Sequence, residues 1–151
     1  MRKMNDRNYQ LLNDLNQYDK ALDDIYHNYA MRHGLSDTAL WILYFVVSSG
    51  QDCTQTDISE QWSYRRQTVN SALKSLESHG FLSLEPLPDN SKSKRIHLTE
   101  KGEELCRRAI LPLLEAEVTA FQRFSASERA TLLRLMEKRL LLLEDEVKKI
   151  T

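Results

Sequence analysis

Residues 65–82, RRQTVNSALKSLESHGFL, combine the apolar spacing of an amphipathic helix with a water-facing row of amides and hydroxyls. At about 100° per residue, Val69, Leu73 and Leu76 share one side of this predicted helix. The polar side chains fall on the other side or at its margins, namely Gln67, Thr68, Asn70, Ser71 and Lys74. Amides pair bidentately with adenine, hydroxyls reach a base or a phosphate, and lysine donates to guanine, so this row suits the base edges of a major groove.

The two ends of the same helix support this interpretation. Arg65 and Arg66 lie at its start, where the positive end of the helix dipole also favours a phosphate. Ser63 is the predicted N-cap, and Gly80 is the predicted left-handed stop. A merely solvated face would be the simpler interpretation for an isolated helix, but here a short helix precedes and a basic hairpin follows.

Three helices are predicted before this one. A long N-terminal helix, closed by Gly34, has a narrow apolar seam with steps of four and three, made by Leu11, Leu15, Tyr18, Leu22, Ile25 and Tyr29. The stretch TALWILYFVVSSG follows, capped by Ser36, and its apolar composition predicts a helix buried on most sides. Thr54 and Asp57 then have the spacing of a capping box and predict the start of a short third helix.

After residue 81 the apolar period changes from that of a helix to that of a strand. FLSLEPL and RIHLT alternate apolar and polar residues, and PDNSKS between them has the composition of a hairpin loop. The sequence therefore predicts a two-stranded wing with Lys92, Lys94 and Arg95 at a basic tip. Such cations can be solubilising charge, but beside a polar helix they are well placed to reach a minor groove or the DNA backbone.

Two further helices are predicted beyond Thr99. Pro112 should kink the first of them about one turn earlier, near Arg108. Ser125 and Glu128 form a capping box that starts the last helix, whose apolar stripe includes Leu133, Met136, Leu140, Leu143, Val147 and Ile150. The first and last helices carry more apolar surface than a small winged helix can cover, so they either pack on each other in a monomer or, as we prefer, form a two-fold dimer.

These elements define the predicted fold class: mainly α with a small β-hairpin wing (α+β), a winged helix-turn-helix with long N- and C-terminal dimerisation helices. A chain of 151 residues fits a single domain over 1–151. Within it the winged helix spans about 36–101, and the dimerisation helices span about 5–33 and 102–150. The net charge of -1 excludes binding to a polyanion by bulk charge, but Tyr64 to Lys101 holds seven Lys and Arg against four acids, a local +3.

Catalytic, metal and membrane functions find little support in the sequence. There is no Gly-rich phosphate loop, HExxH or GxSxG, so we expect no enzyme and no cofactor. Cys53 and Cys106 lack a CxxC spacing, and we expect reduced thiols, no metal site and a cytoplasmic location without a signal peptide. Arg107 and Arg108 would lower the pKa of Cys106 if they folded near it. The longest apolar stretch, ALWILYFVV, is too short to span a membrane.

Three stretches together resemble the multiple-antibiotic-resistance regulator (MarR) family of bacterial transcription factors: TQTDISEQW, QTVNSALKSLESHGFL and DNSKSKRIHLTEKG. The similarity covers nearly the whole chain, and LTEKG, with Leu98, Thr99 and Gly102, is its most specific part. The resemblance implies a homodimer that represses transcription from a pseudo-palindromic operator. Each recognition helix would then enter a major groove of double-stranded DNA, and each wing a flanking minor groove.

The same resemblance implies a pocket for a small aromatic or lipophilic effector beside the winged helix. Aromatic rings with polar tips cluster where the first two predicted helices join, and they suit a phenolic or anionic ligand: Tyr26, Tyr29, His33, Trp41 and Tyr44. Structural packing is the competing role for each of these rings. The rival function for the whole chain is a winged-helix protein-interaction module without sequence-specific DNA binding.

Overall fold

The computed structural model of the chain describes residues 7–50, 53–61, 65–87 and 90–150. Four helices come first: α1 (Arg7–Arg32), α2 (Asp37–Ser49), α3 (Gln55–Gln61) and α4 (Arg66–Ser78). An antiparallel hairpin follows, formed by β1 (Leu82–Leu87) and β2 (Asn90–Leu98). The remaining elements are α5 (Glu100–Leu105), a π-helical turn (Cys106–Ile110), α6 (Leu111–Gln122) and α7 (Ala126–Lys148). The predicted fold class, a mainly helical winged helix-turn-helix with one hairpin, is confirmed.

Helix α2 is the centre of the core of the winged helix. It packs against α1, α4 and the π-helical turn, and most of its apolar side chains are buried, namely Ala39, Leu40, Ile42, Leu43, Phe45 and Val46. Burial on several sides explains why its sequence shows almost no polar face. Each fully buried large side chain contributes about 1.5–3 kcal/mol to stability. Burial of α2 therefore stabilises the core against which α4 packs.

Most of the predicted helix ends are present. The Ser36 hydroxyl accepts a hydrogen bond from the Ala39 amide at 3.2 Å, and the Thr54 amide donates to the Asp57 carboxylate at 2.8 Å. Gly80 has a φ of 73°, as a left-handed stop requires. The predicted cap at Ser63 is wrong, because α4 begins at Arg66 and Arg65 takes the cap position without a side-chain cap bond. Ser63 itself lies outside the described residues.

The wing differs from its prediction at its tip. Strand β2 already begins at Asn90, and Lys94 and Arg95 pair with Pro86 and Glu85 of β1, so both cations lie in a strand and not in a loop. The physical reason is a contact distant in sequence: Ser93 is buried at 4% exposure and shares a hydrogen bond of 2.8 Å with Thr56 of α3. Packing against α3 therefore overrides the turn-like composition of this segment.

The helical path beyond the wing is distorted where Pro112 predicts a kink. Pro112 has no amide hydrogen to donate to Arg108, and residues 106–110 form a π-helical turn in which the Leu111 amide donates to the Cys106 carbonyl. The Tyr29 hydroxyl of α1 donates to the Ala109 carbonyl in this turn at 2.8 Å. The side chain of Tyr29 thus satisfies a carbonyl group within the distorted stretch.

One compact unit of the chain ends at Leu111, and a second begins at Pro112. The second unit contains most of α6 and all of α7, and the predicted capping box at its Ser125 is confirmed by a bond from the Ser125 amide to the Glu128 carboxylate at 2.8 Å. Hydrogen bonds with the backbone and the side chain of Ser125 hold the pKa of Glu128 below its usual value. Helix α7 ends at Lys148, so Ile150 lies beyond it. The single domain over 1–151 and its internal boundaries remain predictions.

Large apolar side chains are exposed on two long helices. The seam of α1 leaves Leu11, Leu15, Tyr18, Leu22 and Ile25 in solvent, and on α7 the exposed stripe includes Leu133, Met136, Leu140, Leu143 and Val147. A monomeric surface rarely carries so much contiguous apolar area, and such patches mark interaction sites. Of the helices in the described ranges, none combines the length and apolarity that a bilayer crossing requires.

Candidate nucleic-acid interface

Helix α4 has the two faces that its sequence predicts. Val69, Leu73 and Leu76 are buried against the core. The predicted contact residues on this helix and at its start are all exposed, namely Arg65, Arg66, Gln67, Thr68, Asn70, Ser71 and Lys74. Because the buried side fixes the rotation of the helix, the polar row is presented to solvent along its length.

Some of these polar groups already have partners within the chain. The Ser71 hydroxyl donates to the Gln67 carbonyl at 2.9 Å, so its proton is used in the helix while its oxygen can still accept a hydrogen bond. The Asn70 carboxamide oxygen accepts a hydrogen bond from the Gln55 carboxamide nitrogen of α3. The row is therefore partly organised before any ligand arrives.

Helix α4 and the wing are tied together by side chains that the sequence reasoning did not single out. A carboxylate oxygen of Glu77, in the last turn of α4, accepts from the Leu84 amide of β1 at 3.2 Å. The Ile96 amide of β2 donates to the Cys53 carbonyl at 2.9 Å, and the backbones of Thr54 and Arg95 form an isolated antiparallel β-bridge. Together with the bond between Thr56 and Ser93, these contacts join α3, α4 and the hairpin into one body.

The three predicted wing cations do not share one location. Lys94 is half-buried and lines a cleft of about 220 Å³ together with Asn70 and Lys74, so one wing cation does lie beside the face of α4. Arg95 lies next in the strand and lines a different cleft with Gly50 and Glu103, because neighbouring residues of a strand point to opposite sides. The side chain of Lys92 lies outside the described part of the chain.

The LTEKG segment fastens α5 to the turn that follows α4. The Thr99 hydroxyl donates to the Gly80 carbonyl at 2.6 Å and accepts from the Gly102 amide at 3.1 Å, which caps α5. The Lys101 ammonium donates to the His79 carbonyl at 2.8 Å and lies 4.7 Å from the centre of the Phe81 ring. The motif therefore acts structurally, by fixing the end of α4 and the base of the wing.

The predicted effector residues divide into two groups. Tyr26 and Tyr44 flank Trp41, with ring centroids 4.7 and 5.4 Å away, whereas Tyr29 and His33 form a separate pair at 4.6 Å. The Tyr29 hydroxyl is held by the Ala109 carbonyl, and burial raises the pKa of this phenol. A cleft of about 430 Å³ adjoins only the first group and is lined by Lys20, Asp23, Asp24, Tyr26, His27, Asp37 and Trp41.

Both cysteines are buried thiols. Burial raises the pKa of Cys53 to about 12, with a smaller contribution from Asp57, and it raises the pKa of Cys106 to about 11, with help from Glu103. Arg107 and Arg108 do not lower the pKa of Cys106, because both pair with Glu104 instead. Within the described ranges, no three His, Cys, Asp or Glu side chains are placed to hold a metal ion together.

The arrangement of a core helix, a short helix, a polar second helix and a hairpin defines a winged helix-turn-helix protein. A family model described as the MarR family matches residues 33–93. No curated protein matches the sequence. The resemblance inferred from sequence is therefore confirmed for residues 33–93, which match the model of the MarR family, a family of transcription regulators.

Solved structures extend the likeness beyond the winged helix. The MarR family regulator NMB1585 from Neisseria meningitidis is 19% identical, and the match covers 93% of this chain and 99% of that chain with a TM-score of 0.78. A MarR family transcriptional regulator from Listeria monocytogenes, complexed with a 26mer DNA, is 25% identical over 91% of this chain and 93% of that chain, with a TM-score of 0.68. The S. aureus MepR–DNA complex is 19% identical, with coverages of 85% and 94% and a TM-score of 0.67. The chain therefore has the fold of MarR family transcription regulators.

Proposed function

We propose that this chain is a sequence-specific transcription regulator of the bacterial cytoplasm that binds double-stranded DNA as a homodimer. The observation that carries the proposal is the exposed row of uncharged polar side chains on α4, held in one body with a wing that supplies Lys94. Two proteins of the same fold, the Listeria monocytogenes regulator and S. aureus MepR, were solved with DNA. DNA is the ligand whose groove edges this row fits best.

The contact residues have two different tasks in this proposal. Gln67, Thr68, Asn70 and Ser71 face the base edges of a major groove and supply sequence preference. The cations contact phosphates and supply affinity that is independent of sequence, namely Arg65, Arg66, Lys74, Lys92 and Lys94. Arg95 lies on the other side of β2 from Lys94 and contributes through the field of the wing.

The dimer is formed by the exposed apolar seams of α1 and α7. Two-fold symmetry would place the second copy of α4 one helical turn of DNA away, about 34–36 Å, so the operator is a pseudo-palindrome. Such a dimer bound across a promoter excludes polymerase, and the protein is then a repressor.

The effector site of this regulator is the cleft beside Tyr26 and Trp41. Its aromatic wall suits a small aromatic or lipophilic molecule. Three carboxylates also line the cleft, from Asp23, Asp24 and Asp37, so an uncharged ligand fits it better than an anion does. Tyr29 and His33 support the helix junction behind this site.

Salt dependence tests the proposed DNA binding directly. With six to ten phosphate contacts, affinity for a duplex is expected to fall by about 10³ to 10⁵ between about 50 and 200 mM salt, because each contact releases condensed counterions. The measurement is fluorescence anisotropy with a duplex recovered by affinity selection from a random library. The recovered motif should be a near-palindrome with half-sites about one helical turn apart.

A result that departs from this pattern has a defined meaning. No enrichment of any duplex, or an interaction that does not weaken with salt, contradicts DNA recognition and supports the protein-interaction module. An enriched motif without two-fold symmetry would keep the DNA binding and remove the homodimer.

Single substitutions separate base reading from phosphate binding. Gln67→Ala is expected to cost about 1–3 kcal/mol in each half-site of the selected operator and to relax preference at one position of each half-site. Lys94→Ala should instead weaken all duplexes alike and reduce the salt slope by about 2, one phosphate contact in each half-site, because it removes a charge and no base contact. Anisotropy titrations with operator and scrambled duplexes give both quantities, and indistinguishable profiles would contradict this division of tasks.

A further inference from the structure

The side chain of Gln55 lies against the polar face of α4, although it belongs to α3. Gln55 is the first residue of α3 and is half-buried. Its carboxamide nitrogen donates to the carboxamide oxygen of Asn70, fifteen residues later in the chain. Both side chains line the cleft between α4 and the wing, together with Lys74 and Lys94.

The position of Gln55 is fixed by its neighbours on both sides in sequence. Thr54 forms a capping box with Asp57, in which the Thr54 hydroxyl and amide both reach the same carboxylate oxygen, at 2.7 and 2.8 Å. Thr56 is bonded to the buried Ser93 of the wing. Because residues 54 and 56 are both anchored, the Gln55 side chain approaches Asn70 from a defined direction.

We propose that Gln55 is a positioning residue that sets which bases Asn70 can recognise. An asparagine with both halves of its amide available pairs bidentately with adenine, accepting from N6 and donating to N7. In this chain the Asn70 oxygen is turned toward the Gln55 amide nitrogen, so the opposite side of the Asn70 amide, with its N–H donors, is the side left for the groove. Its target is therefore an acceptor edge, O6 and N7 of guanine or O4 of thymine, and adenine is not preferred. This inference rests on the proposed DNA-binding function.

Selection from a random duplex library tests the inference with four variants. Asn70→Ala first identifies the operator position that Asn70 reads, because discrimination is lost there. Wild type is expected to prefer guanine or thymine at this position. Gln55→Ala removes the donor that orients the Asn70 amide, so both halves of the amide can face the groove, and the preference should move toward adenine by about tenfold, the effect of gaining one bidentate pair.

Gln55→Glu provides the opposite change at nearly the same size. The new carboxylate can only accept, so the Asn70 amide turns its N–H toward it and its oxygen toward the groove. Preference at the same position should then move to a base with a donor, N4 of cytosine or N6 of adenine. Glu60→Ala, on an exposed position of the same short helix, is the matched control and should leave every position unchanged.

The readouts distinguish positioning from a general structural role. Loss of folding would lower preference at all positions and shift thermal unfolding, whereas positioning changes one position of each half-site and leaves the melting temperature near that of Glu60→Ala. If wild type selects an operator but Gln55→Ala and Gln55→Glu keep its preference at the Asn70 position, the inference about Gln55 is overturned while the proposed function stands. If wild type enriches no duplex, the proposed function itself fails.

Discussion

Replacing Leu140 by aspartate is expected to convert the proposed dimer into a folded monomer. Leu140 lies in the apolar stripe of α7 and is 67% exposed within one protomer, so its loss leaves no cavity in the protomer itself. In the dimer the same position would be covered, and each of two symmetry-related carboxylates would cost at least about 2 kcal/mol. Together they raise the dimer dissociation constant by about a thousandfold or more.

Light scattering measures this change directly. Wild type should have about twice the chain mass of 17.7 kDa, and Leu140→Asp should have the mass of one chain with an unchanged helical circular dichroism signal. The variant should also bind the operator as a half-site, with an affinity lower by orders of magnitude, because the two α4 helices no longer act together.

Lys138→Asp is the control for the added charge. Lys138 is exposed on the same helix but about 200° away from Leu140, so the same side chain placed there should leave the dimer intact. A Leu140→Asp protein that stays folded and dimeric would place the interface elsewhere than on this stripe.

Replacing Gly102 by alanine is expected to destabilise the winged helix by at least about 2 kcal/mol. A Cβ atom at Gly102 would lie 1.8 Å from the carbonyl oxygen of Phe81, which is backbone and cannot swing aside. Helix α5 would have to move away from the turn after α4, and the bonds of Thr99 to Gly80 and to Gly102 would be lost with it. These losses outweigh the helix propensity of about 1 kcal/mol that alanine adds.

Urea unfolding provides the measurement, with a lower midpoint and an unchanged slope expected for Gly102→Ala. Glu115→Ala, on an exposed position of α6, serves as the control and should stay within about 0.5 kcal/mol of wild type. Equal midpoints for the two variants would mean that α5 can shift without cost, and the structural account of the LTEKG motif would then be wrong.

The elements of the fold could be predicted because their signals are local. The alternation of apolar residues around Leu82 and Ile96 predicts the strands, and the capping box of Ser125 and Glu128 predicts the start of α7. The cap of α4 cannot be predicted in this way, because several polar residues precede the helix and only the chain path decides that Arg65 is adjacent to the first turn. The extent of β2 was also missed, because Ser93 is a strand residue only through its contact with Thr56.

The candidate site was predictable as a face but not as a network. The helical period of α4 assigns Gln67 and Asn70 to the outside without any tertiary information. The contact between Gln55 and Asn70, and the bond from Leu84 to Glu77, join residues on different elements, and no spacing in one sequence encodes them. The separation of Tyr29 from Trp41 likewise depends on the π-helical turn, which supplies the carbonyl that the phenol binds.

The hydrogen bonds that join α3, α4 and the hairpin restrain the wing from moving separately from these helices. Cys53, Thr56 and Glu77 each bond to a different part of it, and these bonds fix the position of Lys94 relative to α4. On the proposed operator, α4 and the wing would therefore meet their two grooves together, and one extra base pair between half-site and flank is expected to remove the flank contact. In the proposed homodimer, an effector would then act on DNA binding through the distance between the two copies of α4, and not by moving the wing alone.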